Sequence, residues 1–258
     1  MKELSAAAIT RELKTRRIGR EVLYYPSLSS TMDTARETAL KGLQEGTVVI
    51  AGEQTGGRGR LKRTWLAPEG NIALSIILHP EIKTLPYLIM IASLAVAQSI
   101  ESVSGVKAEI KWPNDVLIGG RKAGGILIEN EVRGNKVAFS IVGIGINIDL
   151  RAADYAEIAD TATSLKKESR KDDLRIKIVR SLLEEFERLY LLLPDGKPIF
   201  EAWRERLVTL GKKVKAQSGN QIIEGIAEAV DDGGALMIRG ENGRLTRVVA
   251  GDVTLREK

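Results

Sequence analysis

The chain contains no cysteine among its 258 residues and only one histidine, His79. Without cysteine there can be no disulfide, thiolate metal site or cysteine nucleophile. Any histidine triad or cluster would have to use His79, which lies between Leu78 and Pro80 at the end of an apolar stretch and reads as structural. Aromatic residues are scarce, at 4 %. The longest apolar run, Leu85 to Ile100, is interrupted by Tyr87, Ser93, Gln98 and Ser99. It falls short of the ~20 residues of a membrane span and reads as a buried helix, so no membrane partner is expected. There is no P-loop, and Gly143-Ile144-Gly145-Ile146-Asn147 lacks the third glycine and the following helix of a dinucleotide fingerprint. Catalysis here would have to rest on positioning and charge.

With 43 % hydrophobic and 28 % charged residues, the chain can bury one large domain, or one large and one small. The net charge of +5 suits an anionic ligand or an acidic partner and is too mild to imply nucleic acid. The amino terminus, MKELSAAAITRELKTRR, has a short Ala-rich segment followed by charges, unlike a signal peptide. A cytoplasmic protein is expected.

Residues Glu3 to Arg16 have helical spacing, and Val22 to Tyr25, before Pro26, reads as a first strand. In SLSSTMDTARETALKG, Ser30 and Thr31 stand at the amino end of a helix that ends at Gly42, where they either cap it or face a ligand. Strands are expected over Thr47–Glu53 and over Asn71–Leu78, the second half buried, with a long helix over Leu85–Val103. Gly119-Gly120 suits a two-residue hairpin turn, and Arg133-Gly134-Asn135 a slightly longer one. Helices follow over Asp172–Leu193 and through Trp203 to Leu207. From Gly211 onward, short apolar runs separated by Ser218-Gly219-Asn220, Asp232-Gly233-Gly234 and Glu241-Asn242-Gly243 read as a meander of about five strands, consistent with a small SH3-like barrel. The expected fold is α+β, with helices on a mixed, mostly antiparallel sheet in residues 1–210 and the barrel in 211–258.

The most distinctive stretch is GGRGRLKRTW, Gly56 to Trp65, which sets Arg58, Arg60, Lys62 and Arg63 among three glycines. Glycine allows close approach to a ligand, and clustered cations can enclose an anion. Lys111 ends a strand that Pro113 cannot continue, so it either projects toward the same cavity or is a solvated rim lysine. Gly124-Gly125 within a strand marks either a close approach to the backbone or a bulge.

Taken in order, Ser30-Thr31, Gln54 with GRGRLKRTW, Lys111-Trp112-Pro113-Asn114-Asp115, Ala123 to Glu129, Gly143 to Asn147 and the terminal meander resemble a biotin protein ligase over nearly the whole chain. The resemblance implies a class II synthetase-like catalytic domain. It also implies a two-step reaction. Biotin and ATP give biotinyl-5'-AMP and pyrophosphate, and a lysine of a biotin carboxyl carrier protein domain then takes the biotinyl group. It further implies biotin contacts at Ser30, Thr31, Gln54, Gly57, Arg58, Gly59, Arg60, Lys111, Gly124 and Gly125. ATP or adenylate contacts are implied at Arg58, Arg60, Arg63, Trp65, Lys111, Asn114 and Asn147. Lys111, Arg58 and Arg60 would supply catalytic charge. Where many members have Asn after Ser-Thr, this chain has Met32, so the biotin contact there reduces to a backbone one. Magnesium is expected with ATP, with no ligand cluster visible in the sequence. A homodimer is implied. Specific DNA binding is not expected, since the segment before Tyr24 is too short for a helix-turn-helix domain.

Two other readings compete. One is a lipoate or octanoate transfer enzyme on the same fold, against which the GRGR and KWPND stretches argue. The other is a nucleic-acid module, which fits poorly with no aromatic between Gly56 and Thr64 to stack on bases.

Overall fold

The computed structural model describes residues 4–219, 221–249 and 251–255. In chain order the elements are α1 (Ala6–Thr10), β1 (Val22–Leu28), α2 (Thr31–Leu40), β2 (Val48–Gln54), β3 (Ile72–Leu78), α3 (Leu85–Ser104), β4 (Glu109–Lys111), β5 (Asp115–Ile118), β6 (Arg121–Arg133), β7 (Lys136–Ile146), α4 (Leu165–Ser169), α5 (Leu174–Tyr190), α6 (Lys197–Glu205) and β8 to β12 (Lys213–Ser218, Gln221–Val230, Leu236–Arg239, Leu245–Val248 and Asp252–Leu255). The first seven strands form one sheet in the order β1-β2-β3-β7-β6-β5-β4, parallel only between β1 and β2, and the last five form a second, antiparallel sheet. The fold is α+β with a small all-β unit after it, as expected.

Several local expectations shift. The amino-terminal helix is only five residues long, with Ser5 capping the Ala8 amide, and Met1 to Glu3 lie outside the described residues. β1 runs through Pro26, which an edge strand tolerates because its outer side needs no ladder bond. Strand β3 is buried along its whole length, since it is central and covered on both faces. On one face Leu74, Ile76 and Leu78 join the main core with α3 and α5, and on the other Ile77 meets Met32, Ala35 and Ala39 of α2. Gly119 and Gly120 both have positive φ, as a two-residue turn requires. The β6–β7 connection is also only two residues, Gly134-Asn135, because Arg133 pairs with Lys136. Asn220, in the turn expected at 218–220, lies outside the described residues.

Helix α3 is the axis of the core. Pro86 opens it, and Gly105 closes it in the left-handed conformation (φ 77°) with its amide on the Glu101 carbonyl. Its buried face, from Leu88 to Ile100, packs against the sheet and α5.

The two sheets share one core. Trp112 of the KWPND stretch is 1 % exposed, and its indole Nε1 donates to the Gly234 carbonyl of the β9–β10 connection at 2.8 Å. Its backbone amide donates to Thr209 Oγ1 at 2.9 Å. This tryptophan therefore faces the carboxy-terminal unit.

The amino-terminal segment is fixed to α5 by Arg180, which donates to the Ala8 and Ile9 carbonyls, by Glu184, which accepts the Lys14 amide, and by a buried carboxylate. Glu187 accepts the backbone amides of Arg16, Arg17 and Ile18 at 2.6, 2.7 and 2.8 Å. Burial alone would raise its pKa, but these three donors hold it below the ordinary value. A depressed carboxylate contributes stability above its unfolded pKa of about 4.3 and loses it as pH falls through the folded value. Glu187→Gln is expected to be less stable by about 1–3 kcal/mol at neutral pH and to lose less on acidification than the wild type. Denaturant titrations at neutral and acidic pH test both expectations.

Candidate active site

A cavity of about 810 Å³ opens between the carboxyl end of β2, the amino end of α2 and the middle of β6 and β7. Its floor is made by backbone. Gly125 of β6 is paired with Gly145 of β7, and Gly143 follows two residues before on the same face. A Cβ on Gly145 would stand 2.3 Å from the Trp65 ring, one on Gly125 3.0 Å from it, and one on Gly143 2.4 Å from Met32 Sδ. The close approach expected at Gly124-Gly125 is thus that of Trp65 to Gly125. Gly124 faces the opposite way, toward Val96 and Val116, and does not line the cavity.

At one end the helix amino terminus meets β2. Thr31 donates to Gln54 Oε1 from its amide at 2.7 Å and its hydroxyl at 2.9 Å, and accepts from Ser75 Oγ at 2.9 Å. With Oε1 committed to Thr31, Gln54 presents its Nε2 as a donor. Ser30 occupies the N-cap position, but its side chain makes no capping bond, and it lines the cavity at 3 % exposure. Of the two readings of this residue, capping is the one the geometry rejects. Met32 lines the same end through its thioether.

The basic loop is a flap. Its stem is closed by Gln54 pairing with Ala67 and Arg58 with Thr64, and by the Trp65 amide donating to the Gly57 carbonyl at 2.9 Å. A Cβ on Gly57 would meet the Trp65 carbonyl at 2.3 Å, so this glycine serves the stem and does not line the cavity, whereas Gly59 does. Arg58 reaches back to Asp33 of α2 and lies 3.9 Å from Glu129. Arg60 crosses to the other wall, donating to Asn114 Oδ1 at 2.9 Å. The flap is thereby tied to both sides of the opening.

The opposite end gathers cations. Lys122 Nζ lies 2.6 Å from Asp115 Oδ1 and 5.3 Å from the Trp65 ring centroid. Burial lowers the pKa of Arg60, with Asp115 opposing and Arg63 adding to the shift. Burial likewise lowers that of Lys111, with Asp115 opposing and Lys122 and Arg63 adding. Arg60, Lys111 and Lys122 thus gather about Asp115 where burial disfavours their charge, a cost that an arriving polyanion would relieve. Lys111 itself sits opposite Asp115 across β4 and β5 and is not among the lining residues. Of Lys111 and Lys122, the one that lines the cavity is Lys122.

Sequence reasoning missed Lys122 for a definite reason. Strict alternation would put it on the face opposite Gly125, yet its Nζ lies 3.4 Å from a Cβ built there. The pairing of β5 with β6 steps from Val116–Gly124 to Leu117–Lys122, leaving Ala123 as an extra residue. This bulge turns Lys122 onto the cavity face. The Gly-Gly pair beside Arg121-Lys122 was the available signal.

Asn147 lies under this end at 3 % exposure. Its Nδ2 donates to the Thr163 and Lys122 carbonyls at 3.0 and 3.3 Å, while its buried Oδ1 has no partner among the described residues. Asn114 is held by the Ile126 carbonyl at 2.9 Å. The residues expected to bind ligand are therefore brought together around one cavity, except for Lys111, Gly57 and Gly124.

Comparison with known proteins agrees with this arrangement. Residues 24–147 match the Biotin/lipoate A/B protein ligase family, and residues 209–256 match the Biotin protein ligase C terminal domain. The bifunctional ligase/repressor BirA of Bacillus spizizenii is 37 % identical over 98 % of this chain and 79 % of its own length. A biotin–acetyl-CoA-carboxylase ligase of Paracoccus denitrificans is 36 % identical over 82 % of this chain and 93 % of its own. Among solved structures, the biotin protein ligase from Aquifex aeolicus in complex with biotin and ATP superposes with a TM-score of 0.75 at 28 % identity, covering 93 % of this chain and 100 % of that one. With a relative 37 % identical over 98 % of this chain and 79 % of its own length, and with the large and small units each matched to a family description, the chain belongs to the biotin protein ligase family of enzymes.

Proposed function

We propose that this chain activates biotin with ATP as biotinyl-5'-AMP and passes the biotinyl group to a lysine of a biotin carboxyl carrier domain. The observation that carries the reading is the polarity of this cavity, with neutral hydrogen-bonding groups at one end and clustered cations about Asp115 at the other. Biotin's ureido ring would occupy the end built from Ser30, Thr31 and Gln54, beside the Met32 thioether. Its carboxylate would lie toward Lys122. That carboxylate is already a nucleophile and needs no activated side chain. Attack on the α-phosphorus forms the C–O–P link and expels pyrophosphate. The protein's task is to hold the two anions in line and to offset the growing negative charge, which Lys122, Arg60 and Arg63 are placed to do. In the second step a carrier lysine, as the free amine, attacks the acyl carbon, AMP leaves with the electron pair of the acyl C–O bond, and the amine's proton passes to solvent.

Lys111, outside the lining, would contribute through the field of the cluster. Arg58, tied to Asp33 and near Glu129, would hold the flap down at the biotin end. Magnesium carried in by the phosphates would find Asp115 and Glu157, the two carboxylates among the described lining residues, as oxygen donors. We further propose a cytoplasmic homodimer paired through the open β1 edge of the large sheet, since the outer side of β4 is already bridged by Arg206 and Val208.

Three measurements test the proposal. Incubating the protein with biotin and α-labelled ATP should yield biotinyl-AMP, whereas lipoate in place of biotin should not yield its adenylate. Lys122→Met should slow adenylate formation by about 10²–10³-fold, far more than Lys111→Ala. The reverse ranking would return the phosphate-contacting role to Lys111. Because the unpartnered Oδ1 of Asn147 suits the exocyclic amine of adenine, inosine triphosphate, which presents an acceptor at that position, should be used at least about 10²-fold less efficiently than ATP. Equal use of the two nucleotides would remove Asn147 from base recognition.

A further inference from the structure

Lys122 and Asn147 are held from behind by a segment whose Ala162 also lines the cavity. Residues 161–163 run parallel to the start of β6. The Lys122 amide donates to the Thr161 carbonyl at 2.8 Å, and the Thr163 amide donates to the Lys122 carbonyl at 2.9 Å. The Thr163 carbonyl in turn accepts Asn147 Nδ2 at 3.0 Å. Thr163 thus grips the backbone of the lysine and the side chain of the asparagine together. It is only 1 % exposed, and its hydroxyl donates to Glu168 of α4. The same carboxylate oxygen accepts Arg121 Nη2 at 2.6 Å, and Arg121 is the chain neighbour of Lys122. Glu168 stands where two arms meet, one ending at Asn147 and one at Lys122.

The bulge at Ala123 makes such a brace necessary. An extra residue leaves the ladder locally unpaired, and the backbone of Lys122 would lack a partner on that side without residues 161–163. Glu168 also lies on α4, whose first amides are bonded to the chain just beyond β7, Leu165 to the Asn147 carbonyl and Lys166 to the Ile148 carbonyl, both at 2.9 Å.

We propose that Glu168 is a positioning residue for the nucleotide end of the site, setting Lys122 through Arg121 and Asn147 through Thr163. This rests on the reading that Lys122 and Asn147 serve ATP. The biotin end, built on Thr31, Gln54 and Ser75, makes no bond to this brace, so the two substrates should respond differently. Displacing a binding group by a fraction of an ångström is enough for a large effect on a substrate that needs it aligned.

The test uses the full chain and steady-state adenylate formation, read as pyrophosphate release with biotin and ATP varied separately. Glu168→Ala should raise KM for ATP about tenfold or more while KM for biotin changes less than about twofold. Glu168→Gln keeps an oxygen that can accept from both Thr163 and Arg121, so it should restore most of the ATP affinity. Thr163→Val, close in shape to threonine, removes only the hydroxyl arm and should raise KM for ATP about threefold. It also keeps the proposal open to disproof if Glu168→Ala does not fold. A purely structural role would change both KM values together with the melting temperature and would leave the Gln variant no better than Ala. That outcome, or an unchanged KM for ATP in a folded Thr163→Val protein, would overturn the proposal. An unmutated protein that forms no biotinyl-AMP would remove the underlying reading as well, and that failure shows in the control before any variant is compared.

Discussion

The site depends on one register step in β6. The extra residue at Ala123 lets Lys122 share a face with Gly125, although the chain between them counts as an odd number of steps. From that placement come the contact with Asp115 and the approach to the Trp65 ring. The step also frees the Lys122 backbone for residues 161–163, which in turn fix Asn147. Without it the lysine would point toward α3, where an unpaired ammonium could not be kept charged.

The glycine floor is the complementary constraint. Side chains at positions 125, 143 and 145 would fill the space that Trp65 and Met32 take. Bare backbone lets an indole and a thioether lie on the sheet and shape a narrow apolar slot between two polar ends. The flap is then closed by two arginines whose partners lie on opposite walls, Asp33 and Asn114. The half-exposed Arg58–Asp33 pair holds weakly in water and can exchange partners when a charged ligand enters. The enclosure can therefore be tight without being permanent, as a reactive acyl phosphate would require.

The carboxy-terminal unit is part of the same body. Trp112 is buried against it and bonded to Gly234, and Val214, Ala216, Leu236 and Ile238 of the second sheet belong to the core that contains α3. In the KWPND stretch, consecutive residues do different work. Trp112 holds the two units together, Asn114 receives Arg60, and Asp115 partners Lys122. The wall of the site and the junction of the units are thus neighbours along the chain.

Periodicity alone located nearly every strand and long helix, because burial on one or two faces writes directly into the spacing of apolar residues. The Ser30-Thr31 helix start, the GRGR loop and the Gly-Gly turn could be read in the same way, since each depends on local backbone chemistry. The ordered set of motifs was enough to indicate the family. What the sequence could not convey was direction. The rim position of Lys111 could be read from Pro113, but the inward turn of Lys122 could not, because alternation assumes an unbroken ladder and only the pairing of β5 with β6 reveals the bulge. Nor could it show that Trp112 turns toward the second sheet, or that Gln54 uses its oxygen on Thr31. Composition and local pattern determined which elements form and where the basic loop and the helix start lie, because those follow from short stretches of chain. Which side chain faces inward was decided by contacts between strands distant in sequence, and these exist only once the sheet is assembled.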